Sequence, residues 1–148
     1  KYAKLGLPIH FTETTILSGA REGQTGGWGA STSEGEEAQA DQAANFYTML
    51  FAHPALAAIT WWDFSDYHAW QNAPAGLVRK DMSAKPVYDR LLELIKHQWW
   101  TNVELMTDEN GTCGARGYYG SYRISADGAD GCNLLVGRHR SNQVTLKL

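Results

Sequence analysis

A chain of 148 residues can bury about 70% of its unfolded surface in one domain, but it is too short for a complete eight-unit β/α barrel, which takes roughly 250 residues. Its hydrophobic content of 43%, charged content of 20% and net charge of −3 are those of an ordinary globular protein and argue against nucleic-acid or anionic-membrane partners. No apolar run approaches the roughly 18 residues of a membrane span, the first residues lack the apolar stretch of a signal peptide, and two cysteines without flanking His argue against a zinc site.

Residues 5–16, rich in β-branched and aromatic side chains with Pro8 near the start, predict a strand with Glu13 close to its C-terminal end. Residues 18–35, dense in Gly, Ser and Thr around Gly26, Gly27, Trp28 and Gly29, predict a polar loop. Residues 34–52 carry helix signals: Ser33 as N-cap, acidic Glu34, Glu36 and Glu37 in the first turn, and Ala40, Ala43, Ala44, Tyr47, Leu50 and Phe51 at helical spacing. His53-Pro54 stops that helix. Residues 57–62, nearly all apolar, predict a parallel strand covered on both faces. After a loop over 63–83, residues 85–96 predict a second helix, with Pro86 in its first turn and Val87, Leu91, Leu92, Leu94 and Ile95 as its stripe. Alternation of this kind predicts an α/β fold with parallel strands.

Beyond Thr101 the texture changes. Residues 103–107, 117–124, 133–136 and 143–148 are short alternating runs separated by Asp, Asn and Gly turns at 108–111 and 127–131, which predict a small antiparallel β module. The expected division is therefore 1–100 and 101–148. Cys113 and Cys132 both lie in the second part, and the spacing leaves a disulfide and two free thiols equally open. Tyr118, Tyr119 and Tyr122 read either as a sugar-stacking platform or, more simply, as the core of a small sheet.

Ligands of parallel α/β folds gather at the C-terminal strand ends, where this chain places Glu13 on the first strand and Asp63 and Asp66 after the second. Paired carboxylates can hydrolyse a glycosidic bond, and the 6 Trp and 7 Tyr supply flat faces of the kind on which sugars stack. From these residues alone, Glu13 is either a catalytic group or a structural acceptor.

Resemblance to a known family decides between them. Leu7-Pro8-Ile9-His10-Phe11-Thr12-Glu13 resembles the seventh-strand signature of family 10 glycoside hydrolases, in which Thr-Glu presents the nucleophile. Residues 59–70, from Ile59-Thr60-Trp61-Trp62 to His68-Ala69-Trp70, resemble the eighth-strand region, where two tryptophans bracket a short loop over the catalytic subsites. Residues 75–88, ending Ala84-Lys85-Pro86-Val87-Tyr88, resemble the lead into the last helix.

The resemblance implies that residues 1–100 form the C-terminal part of a TIM (β/α)8 barrel, its seventh and eighth β/α units, from an endo-acting retaining hydrolase of xylan or a related β-1,4-linked plant polysaccharide. Glu13 would be the nucleophile; Trp62, Trp70, Asp66 and His68 would contact substrate; His10 and Thr15 would give structural support. The acid/base carboxylate comes in that family from the fourth strand, which no residue here matches, so the fragment alone is expected to be inactive, with Asp63 the sole in-chain substitute at a strand end. Polysaccharide is the implied partner, no cofactor or metal is implied, and the full-length parent would be secreted or periplasmic.

Two positions depart from the family pattern. Thr15 stands where an Asp usually supports the nucleophile, and Asp63 follows the first loop Trp where Gly is common. His10, three residues before Glu13, is expected on the opposite strand face, holding the strand against a helix. Arg79 reads as solvated. The rival to the enzyme is a non-catalytic carbohydrate-binding or accessory protein derived from the same fold. With two barrel strands only, the chain by itself is expected to be unstable or to associate through uncovered edges.

Overall fold

The computed structural model describes residues 1–20, 27–138 and 142–146. It divides into two compact units, Lys1–Lys96 and His97–Leu148, the division falling a little before Thr101. In the first unit β1 (Ile9–Thr14), α1 (Ser33–Phe51), β2 (Leu56–Trp61) and α2 (Pro86–Glu93) follow in order, and β1 and β2 pair in parallel. Strand, helix and parallel strand make the β-α-β unit that the hydrophobic pattern predicts.

β1 is shorter than the predicted 5–16. Tyr2–Leu5 coils into a 3-10 turn that ends at Gly6 in the left-handed region (φ 72°), and Pro8 has no N–H to give a ladder. Ile9 starts the pairing, its N–H bonded to the Ala55 carbonyl at 2.7 Å. The parallel register runs Ile9↔Leu56, His10↔Ala58, Phe11↔Ile59 and Thr14↔Trp61. From Phe11 to Thr14 β1 uses three residues where β2 uses two between Ile59 and Trp61, so β1 carries a bulge just before its end.

α1 is capped by Thr32, whose side-chain oxygen accepts from Gly35 N–H at 3.0 Å; the predicted cap, Ser33, is the first helical residue. Its Ala40, Ala43, Tyr47 and Leu50 are buried, as are Val87, Leu91 and Leu94 on and just after α2. Full burial of a Val or Leu side chain is worth about 1.5–3 kcal/mol, so this helix–helix seam is the main apolar core of the unit. Phe11 meets Phe46 edge-on at 5.6 Å and Tyr47 lies 6.4 Å from Trp61, which fixes α1 to one face of the sheet. The other face is open among the described residues: Ala57 and Thr60 of β2 are exposed and the rest of that strand is half-buried. Covering on both faces, expected from its composition, is therefore not found among the described residues, where the two strands meet helices on one side only. α2 runs on into a π-helical turn, Leu94–Gln98.

In the second unit β3 (Gly120–Ala126) and β4 (Ala129–Val136) form an antiparallel hairpin closed by Asp127-Gly128, with Gly128 in the left-handed region at φ 79°, which glycine adopts without strain. Tyr122, Ile124, Cys132, Leu134 and Val136 are half-buried on its shared face, with Tyr122 opposite Leu134 and Ile124 opposite Cys132. The turn at 108–111 forms as predicted: Asp108 Oδ1 accepts from Asn110 and Thr112 N–H, and Gly111 is left-handed. Residues 103–107 and 142–146 are not strands, and 147–148 lie outside the described residues. Cys113 is exposed and Cys132 half-buried, both as free thiols. Tyr119 is exposed and Tyr122 donates its hydroxyl to the Tyr118 carbonyl at 2.7 Å, which makes it part of the hairpin's own packing.

Candidate active site

The β1 bulge decides which way its last side chains point. Phe11 packs on α1, and Ile59 and Trp61, the partners of Phe11 and Thr14, share one face of β2. Thr14 therefore returns to the helix-facing side, where it is buried, although strict alternation from Phe11 would have placed Glu13 there. Glu13 is turned to the open face and is exposed. His10, one residue before Phe11, lies on that open face too and is exposed. This corrects both expectations for His10: the extra residue in the strand cancels the odd spacing, so His10 shares a face with Glu13, and it does not hold β1 against α1. Thr15 follows Thr14 and is exposed.

The end of β2 lies beside this carboxylate. Trp62 N–H continues the pairing onto the Thr14 carbonyl at 3.0 Å, and its indole, following helix-facing Trp61, is about half exposed. Past it the chain doubles back in a tight loop. Asp63 Oδ1 accepts from Trp70 N–H at 3.2 Å, stapling the base of the loop, and Trp70 itself is 59% exposed. His68 is exposed, its ring tilted at 58° against Tyr67 with centroids 4.1 Å apart. The backbone of His68, Gln71 and Asn72 is left-handed, at φ 58°, 55° and 54°. Non-glycine residues adopt that region at a cost of about 1–2 kcal/mol each, so the loop holds its shape only because its surroundings impose it.

A buried polar network anchors the loop at Asp66. Lys85 is fully buried; its Nζ donates to Asp66 Oδ1 at 2.9 Å and Ser18 Oγ at 3.0 Å and lies 2.8 Å from Asp66 Oδ2. Asp66 Oδ1 also accepts from Gly76 N–H at 2.7 Å. Only Gly fits at 76, because a Cβ there would lie 2.5 Å from the Asp66 nitrogen. Asp66, expected to touch substrate, is thus buried and engaged by Lys85 and Gly76; a carboxylate between two loop tryptophans reads from sequence like a ligand, and its Lys partner nineteen positions on gives no local signal.

The network extends outward. Ser18 Oγ and Ser31 Oγ are 2.7 Å apart, Ser31 donates to Glu36 Oε1, and Glu36 takes a two-pronged contact from Arg79 Nε and Nη2. Arg79 Nη1 completes a circuit by donating to the Ala84 carbonyl, next to Lys85, at 2.7 Å. Arg79 is therefore engaged rather than solvated. Burial alone would raise the Glu36 pKa, but hydrogen bonds from Arg79 and Ser31 and the charges of Arg79 and Lys85 outweigh it and hold the carboxyl below its usual 4.5. Serines, threonines and an alanine-rich helix gave no pattern from which this circuit could be read.

Among the described residues no three His, Cys, Asp or Glu side chains gather as a metal site would require. The chemistry on offer is that of an exposed carboxylate and an imidazole on one sheet face, with an exposed indole at the neighbouring strand end and a second on the loop that follows. Residues 1–94 match the model of glycosyl hydrolase family 10. The chain belongs to glycosyl hydrolase family 10.

Among curated relatives, this family 10 chain is 30% identical over 125 residues to anti-sigma-I factor RsgI6 of Acetivibrio thermocellus, covering 84% of the chain and 14% of that protein. It is 29% identical over 124 residues to endo-1,4-beta-xylanase 2 of Arabidopsis thaliana, covering 84% of the chain and 10% of that protein. Its fold is similar to part of native xylanase 10B from Thermotoga maritima, with a TM-score of 0.54 and 25% identity, over 66% of this chain and 29% of that one. The family 10 chain thus spans a small part of each protein it matches.

Proposed function

We propose that this chain supplies the nucleophile half of a retaining glycosidase acting on xylan or a related β-1,4-linked polysaccharide, from the seventh and eighth β/α units of a barrel. The observation that carries the reading is the bulge in β1, which turns Glu13 to the open sheet face, beside Trp62 at the end of the neighbouring strand. In this reading Glu13 attacks the anomeric carbon and expels the leaving group, forming a glycosyl-enzyme ester that water then opens. Trp62 and Trp70 offer flat apolar faces to sugar rings, and His68 lies at the loop edge. His10, on the Glu13 face, is a neighbour for the carboxylate where the family's usual Asp is replaced by Thr15. The acid/base carboxylate comes from outside these 148 residues. The hairpin unit is an appended module, and the full-length protein is exported to reach its polymer.

The test compares the full-length protein with its Glu13→Ala variant on an aryl β-xylobioside. The expected result is loss of most hydrolysis in the variant, with azide restoring turnover and giving the glycosyl azide of opposite anomeric configuration. Equal activity of the two proteins refutes Glu13 as nucleophile. A second reading, a non-catalytic carbohydrate-binding protein, is favoured by the similarity to a protein named as an anti-sigma factor. Binding of β-glycans without hydrolysis of any would select it.

A further inference from the structure

The residue least expected at this site is Lys85. An ammonium that loses all contact with water must have each of its donors met, and Lys85 meets three acceptor atoms: Asp66 Oδ1, Asp66 Oδ2 and Ser18 Oγ. Those acceptors come from different segments. Ser18 stands on the chain leaving β1, soon after Glu13; Asp66 lies inside the loop bracketed by Trp62 and Trp70; Lys85 itself leads into α2. The same two loops are also tied backbone to backbone, with Ser18 N–H on the Pro74 carbonyl at 3.0 Å and Ser18 Oγ on that carbonyl at 2.8 Å.

A buried ion pair is a poor device for stability alone, since apolar residues of similar volume usually serve as well or better. What it supplies is a fixed geometry. The loop it grips also holds His68, Gln71 and Asn72 in left-handed backbone conformations.

We propose that Lys85 is a positioning residue for sugar binding: its buried ammonium, clamped between Asp66 and Ser18, sets the loop carrying Trp70 in register with the strand ends carrying Glu13 and Trp62. The inference rests on the glycosidase reading above and adds to it a residue that touches no substrate. Removing Lys85 changes where the Trp70 indole stands, while Glu13 and Trp62 stay at their strand ends. The loss is therefore in binding shared by ground and transition states, which appears in KM more than in kcat.

The experiment uses the full-length protein and three variants: Lys85→Met; Lys85→Met with Asp66→Asn, which removes both charges and keeps an acceptor for Gly76 N–H; and Ser18→Ala, which removes one acceptor without stranding a charge. Amide exchange is followed over residues 62–76 and over α1, together with melting temperature and hydrolysis of an aryl β-xylobioside. In the double variant the expected result is a melting temperature near wild type, amides over 62–76 exchanging at least about tenfold faster with α1 unchanged, and KM about tenfold higher with kcat within about twofold. Ser18→Ala is expected to shift the same quantities in the same direction by less. A folded double variant, or a folded Ser18→Ala if the others do not fold, with wild-type exchange over 62–76 and wild-type KM overturns the proposal. If wild type hydrolyses nothing, the glycosidase reading fails on its own account, and the exchange measurement still decides: faster exchange upholds the clamp and unchanged exchange refutes it.

Discussion

Replacing Glu36 by Gln isolates one arm of the buried circuit and carries its own pH signature. Glu36 is 5% exposed, and its carboxylate accepts from Ser31 Oγ and from two nitrogens of Arg79. Glutamine preserves the size but presents a donor where one carboxylate oxygen stood, so at least one Arg79 contact turns from attraction to opposition. A hydrogen bond to a charged group is worth about 1.5–3 kcal/mol. The Arg79 side chain is 41% exposed, so water screens the pair and the expected loss falls to about 1–2 kcal/mol. In a full-length barrel of roughly 250 residues that corresponds to a fall in melting temperature of about 2–8 °C at pH 7. The sign of the pH dependence follows from the depressed pKa. A carboxyl held below its usual 4.5 in the folded state contributes stability fully above that value and loses it as pH falls through the lower folded value. Wild type and variant should therefore converge in acid. Melting curves by circular dichroism from pH 7 to pH 3 on the full-length protein check this. Equal melting temperatures at pH 7, or a difference that stays constant down to pH 3, refutes the account of Glu36 as a charged anchor for Arg79.

Two further outcomes follow from the same geometry. Gly76→Ala drives a Cβ to 2.5 Å from both the Asp66 nitrogen and the Ser65 carbonyl carbon, and is expected to destabilise by about 1–3 kcal/mol with the loop amides of 62–76 losing protection first; unchanged denaturant midpoint and exchange would contradict it. The 148-residue chain expressed alone, with two strands in its parallel sheet and Leu5, Leu7, Phe11 and Trp62 exposed, is expected to elute as a concentration-dependent oligomer and to bind a hydrophobic dye; a monomer with a sharp melt would show that the sheet face is satisfied within the chain.

Much of the scaffold was legible because its signals are local. The helix starts lie within a residue of the predicted caps, since acidic first turns and Pro86 act on the nearest few backbone amides. The parallel pairing of β1 and β2 followed from one apolar run after an amphipathic helix. Orientation within β1 was not legible. Period-two reasoning assigns faces by counting, and a bulge, which leaves no mark in Phe11-Thr12-Glu13-Thr14, changes the count. The roles of Asp66, Lys85 and Arg79 were equally hidden, because an ion pair between distant positions looks in sequence like two solvated charges. The last third was over-read: alternating polar and apolar residues at 103–107 and in the described part, 143–146, of the predicted run 143–148 are compatible with strands, but a strand also needs an edge to pair with, and among the described residues the hairpin pairs only with itself.

The placement of the other carboxylates bears on which function the site can perform. A retaining mechanism needs a second carboxyl about 5–5.5 Å from the nucleophile. At the strand ends the chain has Asp63 and Asp66, and both are engaged: Asp66 is buried against Lys85 and Gly76, while Asp63 holds the Trp70 amide and so closes the loop on which the indole stands. Asp63 Oδ1 is turned to that amide, so the loop contact orients the carboxyl and leaves only its other oxygen to carry a proton. Asp66 would have to abandon a buried ammonium, at the several kcal/mol that an uncompensated buried charge costs. Asp63, standing where the family commonly has Gly, is therefore better understood as a brace for Trp70 than as a substitute acid. Under the glycosidase proposal, hydrolysis then depends on a carboxylate brought by another part of the full-length protein, and under the binding proposal that carboxylate is the group to find missing.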